Sequence, residues 1–266
     1  GWNALAKWRT PAQDELTASL GVPPDSQGWP DWQGARLRLR SSGIELTALL
    51  NRWGELDDLA GRVQVDLSVS DLLQPKLEGV VDVEALQLAL LDMQPGYRFD
   101  VGQIRFDGGS KGDLVGFSGT STEGSGRLEL GGALNWPTTF SPELDLHLLL
   151  DDVPYRYADI FDVDDVDADL TWKQWEGGGR LAGFLRLNDP VAQVQLIDLT
   201  TAVPPPPAVQ NDLLEQTSLD LFIDIDDLQT YSEISDVVLD GGIRLYGTLS
   251  KPRFQGELDI REGHLL

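Results

Sequence analysis

Residues 61–79 read GRVQVDLSVSDLLQPKLEG. Val63, Val65, Leu67 and Val69 alternate with Gln64, Asp66, Ser68 and Ser70, which is the period of a β-strand with one apolar and one wet face. A short turn follows, and the chain resumes as Pro75-Lys76-Leu77-Glu78-Gly79. Proline opens a strand where no ladder donor is needed, Leu77 falls on the apolar side, and Gly79 permits a bend or bulge. Gly61 and Gly79 bracket the unit.

The same reading extends outward. Leu144, Leu146, Leu148 and Leu150 share one face opposite Asp145 and His147, and Leu219, Leu221, Ile223 and Ile225 alternate with Asp220, Phe222 and Asp224. Leu258 and Ile260 alternate with Glu257, Asp259 and Arg261. Turn signals separate these runs at Asp107-Gly108-Gly109, Glu123-Gly124-Ser125-Gly126, Gly177-Gly178-Gly179 and Asp240-Gly241-Gly242. The count of runs predicts about fifteen strands joined mostly by hairpin links. Phase slips at Ala85 and near Gly131-Gly132 call for bulges that keep the apolar face inward. Four consecutive prolines in Leu199 to Pro207 read as an extended loop or an edge crossing. No βαβ spacing is present, so the fold class is all-β.

Helical signals are confined to the first 60 residues, a Trp-rich segment expected to dock on or cap residues 61–266. Thr10-Pro11-Ala12-Gln13 reads as a capping box with Gly21 past the helix end, and Leu46, Leu49, Leu50 and Trp53 fall at helical spacing before Gly54. Five of the eight Trp lie in this segment.

The chain holds 44 acidic and 20 basic residues in 266, for a net charge of −24. That balance speaks against nucleic acid and against attraction to an anionic membrane surface. Without Cys there are no disulfides and no thiolate metal sites. No run of 18 uncharged apolar residues is present, and an opening of Gly1-Trp2-Asn3 reads as a piece excised from a longer chain.

Catalytic motifs are missing: there is no HExxH, GxSxG, P-loop or dinucleotide fingerprint. The chain is therefore read as a non-enzyme without cofactor or metal. Asp162, Asp164, Asp165, Asp167 and Asp169 crowd eight residues, and Asp220, Asp224, Asp226 and Asp227 form a second group, but the first lacks the glycine turn of a calcium loop. An acidic β protein also offers carboxylate pairs of the kind used on glycosides. Trp172 and Trp175, three apart on a strand, face opposite sides.

The unit at Gly61–Gly79 has an echo at Gly242–Gly256, GIRLYGTLSKPRFQG, with Pro252 and Gly256 at the places of Pro75 and Gly79, Phe254 for Leu77, and an additional Gly247 before the turn. Pro142-Glu143-Leu144 begins a third copy, with Leu146 in place of the glycine. This recurring G-x-[L/V/I]-x-[L/V]…P-x-[L/F]-x-G pattern resembles the AsmA-like envelope proteins, in particular the C-terminal region of the TamB type. The resemblance is most specific over Leu219–Leu266 and touches most of residues 60–266. It implies an elongated, curled antiparallel sheet (a β-taco) with an open apolar groove. It also implies a periplasmic place in the cell envelope, tethered to the inner membrane by a segment outside this chain. The partners it implies are phospholipid acyl chains and an outer-membrane barrel of the TamA/BamA type, with roles in lipid transport and in outer-membrane protein assembly and secretion.

On that reading the groove is lined by Val63, Val65, Leu67, Val69, Leu128, Leu130, Leu144, Leu146, Leu148, Leu221, Ile223, Ile225, Ile243, Leu245, Phe254, Leu258 and Ile260. An exposed terminal strand at Phe254–Ile260 offers an edge for a client β-strand. The alternative from periodicity is that the same residues close on one another as a β-sandwich, a carbohydrate-binding or adhesive module.

Overall fold

The computed structural model describes residues 1–9, 15–47, 56–72, 74–90, 93–138, 141–157, 160–193, 215–232 and 235–265. They form one sheet of 17 strands. In chain order these are β1 (Trp2–Arg9), β2 (Glu15–Val22), β3 (Arg36–Ser41), β4 (Ile44–Glu45), β5 (Leu56–Ser70), β6 (Lys76–Leu90), β7 (Met93–Gln94), β8 (Tyr97–Gly109) and β9 (Lys111–Ser121). The rest are β10 (Arg127–Thr138), β11 (Ser141–Tyr157), β12 (Phe161–Trp175), β13 (Gly178–Asn188), β14 (Val191–Gln193), β15 (Thr217–Tyr231), β16 (Ser235–Thr248) and β17 (Lys251–Leu265).

Neighbours in sequence are almost everywhere neighbours in the sheet. The order is β1-β2-β3-β5-β6-β8-β9-β10-β11-β12-β13-β15-β16-β17, with β4 beside β5 and β14 beside β15. β1 and β17 are the two edges among the described strands. All pairings are antiparallel except those of β13 and β14 with β15, which are parallel. A parallel pair requires a long return connection. It runs through 194–214, and the four prolines lie there, outside the described residues.

The first of the expected N-terminal helices gives way to strand. Residues 15–22 form β2, paired with β1 on one side and β3 on the other. Leu16, Ala18, Leu20 and Val22 alternate with Thr17, Ser19 and Gly21, and two flanking ladders outweigh a local capping signal. Thr10 to Gln13 lie outside the described residues. In the second segment Glu45 ends β4 and Leu46 and Thr47 lie in a tight helical turn, while Leu49, Leu50 and Trp53 are outside the described residues. The Trp-rich start thus adds strands to the common sheet through the β3–β5 ladder.

Bulges set where the sheet bends. Ala85, at φ 49°, is the extra residue where the β5–β6 register shifts opposite Gly61. The second expected bulge is on the partner strand: Val115 and Gly116 of β9 oppose Gly131. Asp152 in β11 and Asp227 in β15, at φ 53° and 54°, mark further shifts. Each inverts the phase of its strand, so that on β9 buried Gly112 is followed by buried Phe117 and Gly119. The sheet curls, and near its middle Met93 and Gln94 of β7 reach over the β9–β10 turn to pair with Tyr157 and Arg156 of β11. Tyr97 Oη donates to the Pro154 carbonyl across the same gap at 3.3 Å.

The two P-x-[L/F]-x-G motifs occupy equivalent places, each opening the second strand of a hairpin (β5–β6 and β16–β17). Gly79 adopts φ 132°, and a Cβ there would collide with the Asp66 carbonyl oxygen of β5. Gly131, by contrast, faces open space. Gly79→Ala is therefore expected to cost about 2–3 kcal/mol, and Gly131→Ala less than about 1 kcal/mol, measured as shifts in the urea midpoint at constant slope.

Candidate functional site

The register assembles the apolar positions of separate strands into rows. One row runs Val65, Val81, Ile104, Leu114, Gly132, Leu146, Trp172, Leu181, Leu219, Gly247 and Pro252, crossing from β5 to β17 without a charged side chain. The next runs Phe117, Leu130, Leu148, Leu170, Gly183, Leu221, Leu245 and Phe254. Another joins Leu128, Leu150, Ala168, Leu185, Ile223, Ile243 and Gly256. All seventeen residues expected on the apolar side fall on this inner face. Val63, Val69, Leu67, Leu144 and Ile225 complete the rows, and Leu258 and Ile260 lie opposite Gly241 and Leu239.

Large rings fill the face where glycine leaves room. Phe117 lies over Gly102 and Phe106 over Gly112. Phe99, Phe117, Leu128 and Val153 make one tight cluster, and Leu67, Leu77 and Phe106 another, with Trp136 packed against it. The indole N–H groups of Trp136 and Trp172 are buried in this layer without an acceptor among the described residues.

Cover of this face is uneven, and it is lost at the two edge strands. Val153 is 1% exposed, whereas Val63, Val65, Val69, Leu130, Leu144, Leu146, Leu148, Ile223, Ile243 and Leu245 are half-buried. At the edges the same face is open: Trp2 on β1 is 67% exposed, and Phe254 and Ile260 on β17 are 69% and 70% exposed. The two copies of the sequence motif thus meet opposite fates, since Leu77 is 5% exposed in the interior of the sheet.

The outer face is largely polar, interrupted by the stacked rings of Phe184 and Phe222, and laced by cross-strand ion pairs. Asp220 accepts from Arg244 at 2.8 Å and from Arg180 at 2.9 Å, and these contacts hold its carboxyl below the usual carboxylate range. Arg186 pairs with Asp224, Lys173 with Asp145, and Arg261 with both Asp227 and Asp240. Glu15, bonded by Lys7, Arg9 and Thr17, is pulled down to about 2.

The acidic groups resolve in the same way. His147 pairs with Asp169 at 2.7 Å, and Asp162 with Arg156 at 3.0 Å. Asp151, Asp152 and Asp167 bring carboxylate oxygens within 4.8 Å of one another, as do Asp226, Asp227 and Asp240, the latter group already engaged by Arg261. Burial pushes the Asp165 carboxyl up, with Asp167 and Asp152 adding repulsion. Trp172 turns inward, half-buried, while Trp175 is exposed. Missed in the sequence is a basic stripe, Arg36, Arg38 and Arg40, on the outer side of β3. Its period of two was present to be read, but the chain-wide acidity masked it.

No known protein family, curated protein or solved structure matches this chain.

Two measurements check this geometry. Leu128→Ala, which opens a cavity in the sealed middle, is expected to cost about 3 kcal/mol, and Ile260→Ala at the open edge less than about 1 kcal/mol, both by urea denaturation. Carboxyl groups of the unfolded chain titrate near about 4. The depressed groups Glu15 and Asp220 therefore stabilise the fold above that pH and lose this contribution as pH falls toward their folded values. The urea midpoint is expected to drop between about pH 4 and pH 2, more shallowly in Glu15→Gln; identical slopes for parent and variant would count against the β1–β2 ion cluster.

Proposed function

We propose that this chain is a cell-envelope β-groove whose inner face holds phospholipid acyl chains and passes them between membranes. The observation that carries the reading is the incomplete cover of one uninterrupted apolar face. Buried residues such as Leu128, Val153, Leu219 and Leu221 alternate along it with half-buried ones such as Leu130, Leu146, Leu148 and Ile223 on the same strands, and the face is open at β1 and β17. A closed sandwich would bury those half-covered residues against a second layer. An apolar strip left open to water on this scale calls for an occupant.

Acyl chains suit it. Each methylene that stays on the strip avoids about 0.8 kcal/mol for entering water, and rows without charge let a chain slide from one strand to the next without a catalytic group. The resemblance of residues 219–266 to the TamB-type repeat supports the same reading, because that repeat forms hairpins with the apolar side facing inward. At β17 the unpaired edge and the exposed face coincide. There lipid, or a client strand, would be handed to an outer-membrane barrel.

The test is native mass spectrometry of protein purified without harsh detergent, followed by lipid extraction. Phospholipid is expected to co-purify, and to fall about fifteenfold in an Ile243→Asp, Ile260→Asp variant that keeps its β circular dichroism, as the loss of two methylene-scale contacts of about 0.8 kcal/mol each implies. Absence of lipid, with no uptake from offered vesicles, would overturn the reading in favour of a closed adhesive or glycan-binding module.

A further inference from the structure

Charge is segregated along the sheet. Residues 1–76 carry a net −2 of the total of −24, and on β3 the three arginines stand at every second position, on the outer face. Cross-strand register there places Gly21, Arg36, Ser70 and Lys76 in one row. The adjoining row holds Arg38, Ser68 and Glu78. Small residues between long cations leave a concavity of about 800 Å³ lined by both rows.

Most cations of this chain are matched to carboxylates, as expected when acidic residues outnumber basic ones by 44 to 20. Arg38 follows that pattern, pairing with Asp66 at 3.4 Å. Arg36 and Lys76 have no carboxylate partner among the described residues, and both line the same hollow. Their backbones stand two strand spacings apart, about 10 Å, a gap that two long side chains can close from opposite sides. Glu78 is the one carboxylate in the lining, two residues from Lys76 on the same face.

We propose that this concavity is a binding site for a phosphate group. The Arg36 guanidinium supplies a planar fork for two phosphate oxygens, and Lys76 adds a point charge from the far side. The Ser68 hydroxyl donates from the floor. The net charge of the whole chain does not forbid this, because at physiological salt a field is screened within about 8 Å and the nearest groups decide. Glu78 sets the limit on affinity by competing for Lys76. The site lies on the face opposite the apolar rows and does not depend on how those are filled.

The phosphate has two possible sources, a soluble phosphoester or a lipid headgroup, and two probes separate them. Glycerol 3-phosphate is titrated into the full chain by calorimetry, and vesicles of phosphatidylglycerol are tested by co-sedimentation. Binding of the soluble probe assigns the site to a free phosphoester, and binding of vesicles alone assigns it to a headgroup. In either case Arg36→Gln with Lys76→Gln is expected to weaken binding at least about tenfold, and Glu78→Gln to tighten it about threefold. Both cations are exposed, so the melting temperature serves as the control for folding. If neither probe binds, or the double variant binds as the parent does, the proposal is overturned.

Discussion

A single layer of β-sheet has two faces, and the chain makes only one of them polar. The inner rows, from Val65 across to Pro252, carry no charge, so their exposure to water is the term that everything else in the fold must reduce. No second layer is present among the described residues to cover them. The sheet covers its own middle instead by curling, and aromatic rings laid over glycines thicken the layer. Curling closes the centre, where Val153 and Leu128 are buried, but it leaves less cover at the edge strands, where Phe254 and Ile260 lie open.

Curvature of this kind requires interruptions, and the bulges supply them. Ala85, Val115–Gly116, Asp152 and Asp227 fall on different strands, and each adds one residue that turns the remaining side chains to the opposite side. Without these slips the apolar set of each strand would pass from the inner to the outer face partway along. The outer ion ladders, such as Arg180–Asp220–Arg244, hold neighbouring strands in the register that keeps the inner rows aligned. Register and curvature thus serve one end, a continuous apolar lining.

Much of this was legible from residues alone, because period-two alternation is a local property. The strand character of residues 61–70, 76–79, 144–150 and 219–225 and the bulge at Ala85 follow from it. The first N-terminal helix did not follow. Thr10-Pro11-Ala12-Gln13 is a capping signal only if the next turn is helical, and Leu16, Ala18, Leu20 and Val22 already alternated as a strand. The parallel β13–β15 pairing was not legible at all. Phe254 and Leu77 sit in the same motif, and only the position of a strand in the sheet, interior or edge, decides which is buried. The arginine stripe of β3 was readable but was submerged in a whole-chain sum.

The central claim is that the inner face, and not the outer, is the surface on which acyl chains travel. Photocrosslinking tests it directly, with a benzophenone amino acid placed singly at inner positions Leu146, Ile223 and Leu258 and at outer positions Asp145, Asp224 and Asp259. The account predicts phospholipid adducts by mass spectrometry at the three inner positions and none at their outer neighbours. Equal labelling of both faces, or adducts at the outer positions alone, would contradict it.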